Sequence, residues 1–283
     1  MSSDSSPVFP PELEQEIFEM TVYLYPESTP VLVFVCRRVY EWAVRIKYNT
    51  VTPTGVQLSC PYRVLQRGIR SKSKPISFFL RVQHLYILYG NQLQETLAAC
   101  TAVQSLAILP RVPSWIFPDL AALRPRRLSI RLVPLLDNMD LCRPTFTFVT
   151  HLHMFDHVSE LSEHMDRGLH LLSLLPALTH LAVNIAARVA PMLARCKKLR
   201  VLVHWMRSKT WKSGSPPPED LKFDNDDRVV CIVVEDWTCQ NDWVTGTKGG
   251  MDFWARADAF VTMKRRGEIK PSSRCWIEEG DEI

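Results

Sequence analysis

Short phrases of alternating apolar and polar positions recur along the middle of the chain. Each has an apolar residue, two others, a leucine, one residue and a further apolar residue. The first three are Val82-Gln-His-Leu85-Tyr-Ile87, Val103-Gln-Ser-Leu106-Ala-Ile108 and Pro125-Arg-Arg-Leu128-Ser-Ile130. The pattern continues as Val149-Thr-His-Leu152-His-Met154, Leu178-Thr-His-Leu181-Ala-Val183 and Leu199-Arg-Val-Leu202-Val-His204, with a weaker copy at Val229-Val-Cys-Ile232-Val-Val234. The central positions 85, 106, 128, 152, 181, 202 and 232 lie 21, 22, 24, 29, 21 and 30 residues apart. Alternation within a phrase has the period of two of a strand with one face in a core. Stretches of helical character separate the phrases, at 92–100, 115–123, 164–175 and 186–196.

A strand plus a helix every 20–30 residues or so is the signature of a leucine-rich-repeat solenoid. The phrases resemble that family's L-x-x-L-x-L core without its following Asn or Cys, so irregular repeats over 75–245 are expected. Strand-helix alternation also fits a doubly wound α/β fold. With ten glycines and no G-x-G-x-x-G, the chain lacks the phosphate-binding first turn that such a fold uses for a nucleotide. The predicted fold is therefore α/β, with a short helical segment, a repeat array and a C-terminal capping helix.

The first fifty residues read differently. Pro10 and Pro11, followed by Glu12, Glu14 and Glu16, suit a helix start, with Leu13, Ile17 and Phe18 on one face. Thr29-Pro30 is a second start signal, opening the run Val31 to Cys36, which β-propensity alone would make a strand. Val39, Trp42 and Ile46 mark a third helix. The order of Pro10, Leu13, Ile17-Phe18, Leu32, then Val35-Cys36-Arg37-Arg38-Val39 and Trp42 resembles an F-box over residues 9–50. Phe9 stands where that family has its first leucine, and Val39 where an aromatic is common. The resemblance implies a three-helix segment, with 31–36 helical, and a layout similar to that of fungal F-box-like proteins carrying irregular leucine-rich repeats. An ordinary three-helix cap on the amino end of a repeat array is the plainer reading of the same residues.

Composition adds bounds. At 283 residues, 46% hydrophobic and 23% charged, the chain has the make-up of a soluble globular protein. No apolar run approaches the ~20 residues of a membrane span. The opening Met1-Ser-Ser-Asp-Ser-Ser6 does not look like a signal peptide. Eight cysteines are spread singly with no C-x-x-C, which suggests reduced, buried thiols in a cytoplasmic or nuclear protein. The net charge of +4 is uneven: −3 over residues 1–50, +9 over 51–131 and −2 over 132–283. Residues 51–74 read as a basic linker, and the basic block as either a solvated face or a surface for an acidic partner.

Sets of residues that carry chemistry are sparse. His151, His153 and His157, near Asp156 and His164, form the densest cluster of ligand-type side chains. His151 and His153 share one strand face by alternation; two zinc ligands are conceivable, but a solvated or partner-facing pair is the simpler reading. Asp224, Asp226 and Asp227 lie in a polar loop lacking the glycine turn of a calcium site, and Gly246-Thr-Lys-Gly249-Gly250 lacks P-loop spacing. Neither G-x-S-x-G nor H-E-x-x-H occurs, and no catalytic set, metal or cofactor is expected. Six of eight tryptophans follow residue 200. Trp254, with Phe253, Ala257, Phe260 and Val261, forms the stripe of an amphipathic helix within a closing segment at 246–283, which resembles the closing helix of the same group of F-box-like proteins. Trp211 sits in a polar loop, where it could anchor an interface.

The resemblance implies a non-enzymatic substrate receptor. Pro10, Leu13, Ile17, Leu32, Val35 and Cys36 would dock on a Skp-family adaptor and, through it, a cullin of a ubiquitin ligase. The alternative is a leucine-rich-repeat scaffold with a degenerate box and no ligase partner. In a curved array the residues alternating with the core leucines face outward. The expected target surface is therefore His84, Tyr86, Arg127, His151, His153 and His180, with Trp211. If exposed, that row would gain charge between about pH 7 and 6 and attract an acidic or phosphorylated target.

Overall fold

The computed structural model describes residues 9–53, 61–131, 133, 146–156, 168, 170, 172–184, 189–207, 226–234, 239–278 and 281–283. Eight strands form one open, wholly parallel sheet in chain order: β1 (Thr50–Val51), β2 (His84–Ile87), β3 (Ser105–Ile108), β4 (Arg127–Ile130), β5 (His151–Met154), β6 (His180–Val183), β7 (Val201–Arg207) and β8 (Val229–Val234). All seven phrases are strands of this sheet, and each pairs with the next. Two-residue β1 was not expected; it is too short to show an alternation of its own.

The central leucines stack in register. Val51 pairs with Leu85, then Leu85 with Leu106, Leu106 with Leu128 and Leu128 with Leu152. The ladder runs on through Leu181 and Leu202 to Val229. Ile232, expected at the centre of the last phrase, instead pairs with Trp205. All eight ladder residues are buried in one core, beneath helices that lie between several of the strands. Among them are α4 (Pro61–Ser71), α5 (Ile76–Phe79), α6 (Leu93–Ala99), α7 (Phe117–Leu123) and α8 (Val189–Arg195), which contribute Leu65, Phe79, Leu97, Leu120 and Met192. The stretch expected as a linker thus holds helix α4. Tyr62, Leu65 and Gly68 face its core while Arg63, Arg67 and Arg70 face solvent, a period the basic composition conceals.

Ahead of the sheet lie α1 (Pro11–Leu24), α2 (Thr29–Leu32) and α3 (Arg37–Asn49). Pro11 and two acidic residues open α1 as anticipated. The run 31–36 is neither a strand nor one helix: α2 makes a single turn, residues 33–35 turn out of it, and Cys36 is extended at φ −164°. Thr29 lies inside α2 rather than capping it, and its hydroxyl donates to the Pro26 carbonyl. Phe18 of α1 meets Trp42 of α3, with ring centroids 6.3 Å apart. Because α3 runs straight into β1, the helical segment is joined to the first edge of the sheet.

Two more helices, α9 (Gln240–Thr247) and α10 (Phe253–Arg265), close the chain. The apolar stripe of α10 is buried as its spacing suggests, but it packs across the second face of the sheet. Phe253, Trp254, Ala257, Phe260 and Val261 form a core with Val201, Val203 and Trp205 of β7 and Val230 and Ile232 of β8. The sheet is therefore covered on both faces over its later strands, which is how wholly parallel sheets satisfy their apolar side chains.

Candidate functional site

The residues expected to form an outward target surface do share one face of the sheet, and α9 and α10 cover it. Tyr86 is fully buried against Trp243 of α9 at 5.3 Å between centroids, and half-buried His84 lies 6.5 Å from the same ring. His153 is 2% exposed, enclosed by Phe155, Trp205 and Phe253. His151 and His180 stack at 4.0 Å beneath Trp254. Trp211 falls outside the described residues. The expectation of an open histidine row is thus corrected: the tryptophans on α9 and the start of α10 supply the cover, and burying those rings outweighs leaving the row wet.

Several polar groups on this face are paired, while His84 Nδ1, His153 Nε2 and Trp205 Nε1 are buried without a hydrogen bond among the described residues. Arg127 Nη1 donates to Asp252 Oδ2 at 3.1 Å, while Asp252 Oδ1 accepts from the Ala255 amide at 2.8 Å and caps α10. His180 Nε2 lies 3.0 Å from Asp258 Oδ1, and its Nδ1 lies 2.8 Å from the Thr179 hydroxyl. His151 Nδ1 meets Thr150 in the same way, at 2.9 Å. Asp242 accepts from the Phe253 amide and from Arg256, both at 2.7 Å, tying α9 to α10. Gly246 stands so close to the Asp252 carboxylate that a β-carbon there would overlap it.

The electrostatics follow from this burial. Burial, with Arg127 adding repulsion, holds His84 down at about 4. Burial takes His151 to about 3, with His180 and Arg127 lowering it further and Asp258 opposing them. Burial alone takes His153 to about 3 and, on the opposite, leucine face of the sheet, His204 to about 4. These imidazoles are neutral at pH 6, so the predicted gain of charge between pH 7 and 6 does not occur at them. Burial raises the Asp258 carboxyl, but its hydrogen bond to His180 and the nearby Arg127 guanidinium help to outweigh that and leave it below the usual range. The arrangement is a lock between helix and sheet.

No group of three His, Cys, Asp or Glu among the described residues is placed to hold a metal ion. Asp156, next to the histidines in sequence, instead accepts from the Val133 amide at 2.9 Å; His157 and His164 lie outside the described residues. Of the described cysteines, Cys100, Cys196, Cys231, Cys239 and Cys275 are buried free thiols, and burial pushes Cys100 up to about 12. Cys36 is exposed, contrary to expectation. No helix among the described residues is long and apolar enough to cross a membrane.

The amino-terminal helices present the opposite situation. Leu13, Ile17, Met20 and Leu24 recur along α1 at steps of four, three and four, and about half of each side chain is open to solvent. Val22 is the buried residue of this helix. Beyond α2, Phe34 is 87% and Val35 56% exposed. Eleven of the eighteen large apolar side chains exposed among the described residues lie between Phe9 and Tyr40. Five of the six residues expected at an adaptor interface, Pro10, Leu13, Ile17, Val35 and Cys36, are exposed, and Leu32 is half-buried. The chain matches no family model, no curated protein and no solved structure.

Proposed function

We propose that the chain is a non-enzymatic substrate receptor of a cullin-RING ubiquitin ligase, acting in the cytoplasm or nucleus. Its amino-terminal segment is an F-box-like module that docks on a Skp-family adaptor, and its strand-helix units form an irregular leucine-rich-repeat solenoid that holds a target. One observation carries this reading. A helix that packs against α3 and buries Val22 exposes a continuous stripe of Leu13, Ile17, Met20 and Leu24, an apolar surface that a partner would remove from water. Because α3 continues into β1, adaptor and target would be held at a set orientation to one another.

Calorimetry with a recombinant Skp-family adaptor tests the docking. Wild type is expected to bind, and Leu13→Asp with Ile17→Asp to abolish binding with unchanged circular dichroism and melting temperature. Undiminished binding by that folded variant removes the F-box reading. The single-turn α2, shorter than a full box helix, favours a second reading, an interaction scaffold with a degenerate box. Absence of adaptor binding by wild type would select it.

A further inference from the structure

We propose that the groove between α3 and the segment 74–81 binds an acidic peptide segment, in which carboxylates flank an apolar side chain. One face of α3 lines it with Tyr40, Val44, Lys47 and Tyr48, four residues at helical spacing. Lys74, Phe78 and Arg81 form the opposite wall, and the space between is about 300 Å³. That is the low end of ligand-pocket volumes, enough for a few side chains.

The floor and rim differ in chemistry. Phe78 is buried and packs edge-on against Tyr48 at 4.7 Å, so the apolar floor is rigid. Lys74 lies with its ammonium 5.3 Å from the Phe78 centroid. Lys47, Lys74 and Arg81 have no carboxylate partner among the described residues. Their surroundings explain why: from Trp42 to Gln94 the sequence has eight basic residues and no Asp or Glu. Three cations around an apolar floor, with no carboxylate among its lining residues, complement a peptide carrying negative charge on either side of an apolar anchor. A nucleic-acid strand suits the groove less well, since it calls for a long charged track with open stacking faces, and the Phe78 ring is buried.

The proposal rests on the receptor reading only for the role of the bound segment as target; it supplies the target surface that α9 and α10 exclude from the histidine row. The test is fluorescence anisotropy on the full chain, with a labelled peptide of four glutamates flanking one phenylalanine and its all-glutamine counterpart. The glutamate peptide is expected to bind at least about tenfold tighter, and to weaken as salt rises from about 50 to about 300 mM. Lys47→Glu with Arg81→Glu should cost at least about tenfold, whereas Arg265→Glu with Arg266→Glu, the same charge change on and just after α10, should leave affinity unchanged. Circular dichroism confirms that both variants fold. Equal affinity for the two peptides, equal losses in the two variants, or tighter binding of an oligouridine through Lys47 and Arg81 would overturn it. Adaptor binding by the same proteins is measured in parallel: the peptide titration decides the groove, and the adaptor titration decides the receptor reading.

Discussion

The imidazoles of His151 and His180 stack with centroids 4.0 Å apart and planes within 5° of parallel, on neighbouring strands under the edge-on ring of Trp254. A pair of histidines that sequence alternation would leave in water is thereby part of a second core. Tertiary packing converts a candidate binding row into a fastening.

Acid should loosen that fastening. His84, His151 and His153 on this face, and His204 on the opposite, leucine face, have pKa values of about 3 to 4 in the folded chain, against about 6.5 unfolded. Between those values the unfolded chain binds protons that the folded one excludes, so stability falls as pH falls through the window. Each well-shielded imidazole then costs up to about 2 kcal/mol by pH 5. Urea midpoints at pH 7.5 and pH 5 measure this. His153→Phe, which removes the most buried of the four, should flatten the difference.

The two faces of the sheet should be comparably sensitive to truncation. Leu152→Ala in the ladder should cost about 2–5 kcal/mol, and Phe260→Ala on α10 about 3–5 kcal/mol. Both positions are 0% exposed. Denaturant unfolding of the two variants compares them directly; a near-neutral Phe260→Ala would show that α10 only rests on the sheet.

Gly246 is required where it stands. A methyl group there would press on Asp252, which both caps α10 and pairs with Arg127. Gly246→Ala should destabilise by about 1–3 kcal/mol, the range for overpacking. Asp252→Ala should cost at least about 1 kcal/mol through the lost cap. In the double variant the losses should not add, because the clash partner is gone.

Along α1, stability and docking should separate by face. Val22→Ala, at a residue 3% exposed, should lower the melting temperature, while Ile17→Ala, at 48%, should leave stability within about 0.5 kcal/mol. Thermal melts of both, with adaptor titrations alongside, distinguish residues that hold the helix from those that face a partner.

The order and direction of the strands were legible because each phrase carries its own period-two pattern, and a parallel ladder needs only that Leu85, Leu106, Leu128, Leu152, Leu181 and Leu202 meet in turn. The stripe of α10 was legible for the same local reason. Its destination was not. Alternation states that Tyr86 and His153 lie opposite the leucines, and says nothing of what covers them; the cover comes from Trp243 and Phe253, about a hundred residues or more further along the chain. The register of β8 was misplaced at Ile232 because Val229 to Val234 is apolar at nearly every position, so a strand buried on both faces has no polar residue to mark its phase. Helix α4 was hidden by its arginines, although Tyr62, Leu65 and Ile69 keep helical spacing beneath them. Local periodicity determined which residues pair and which face they take. Only the tertiary structure decided which of those faces stays open, because covering a face is a contest between distant apolar surfaces that no local pattern records.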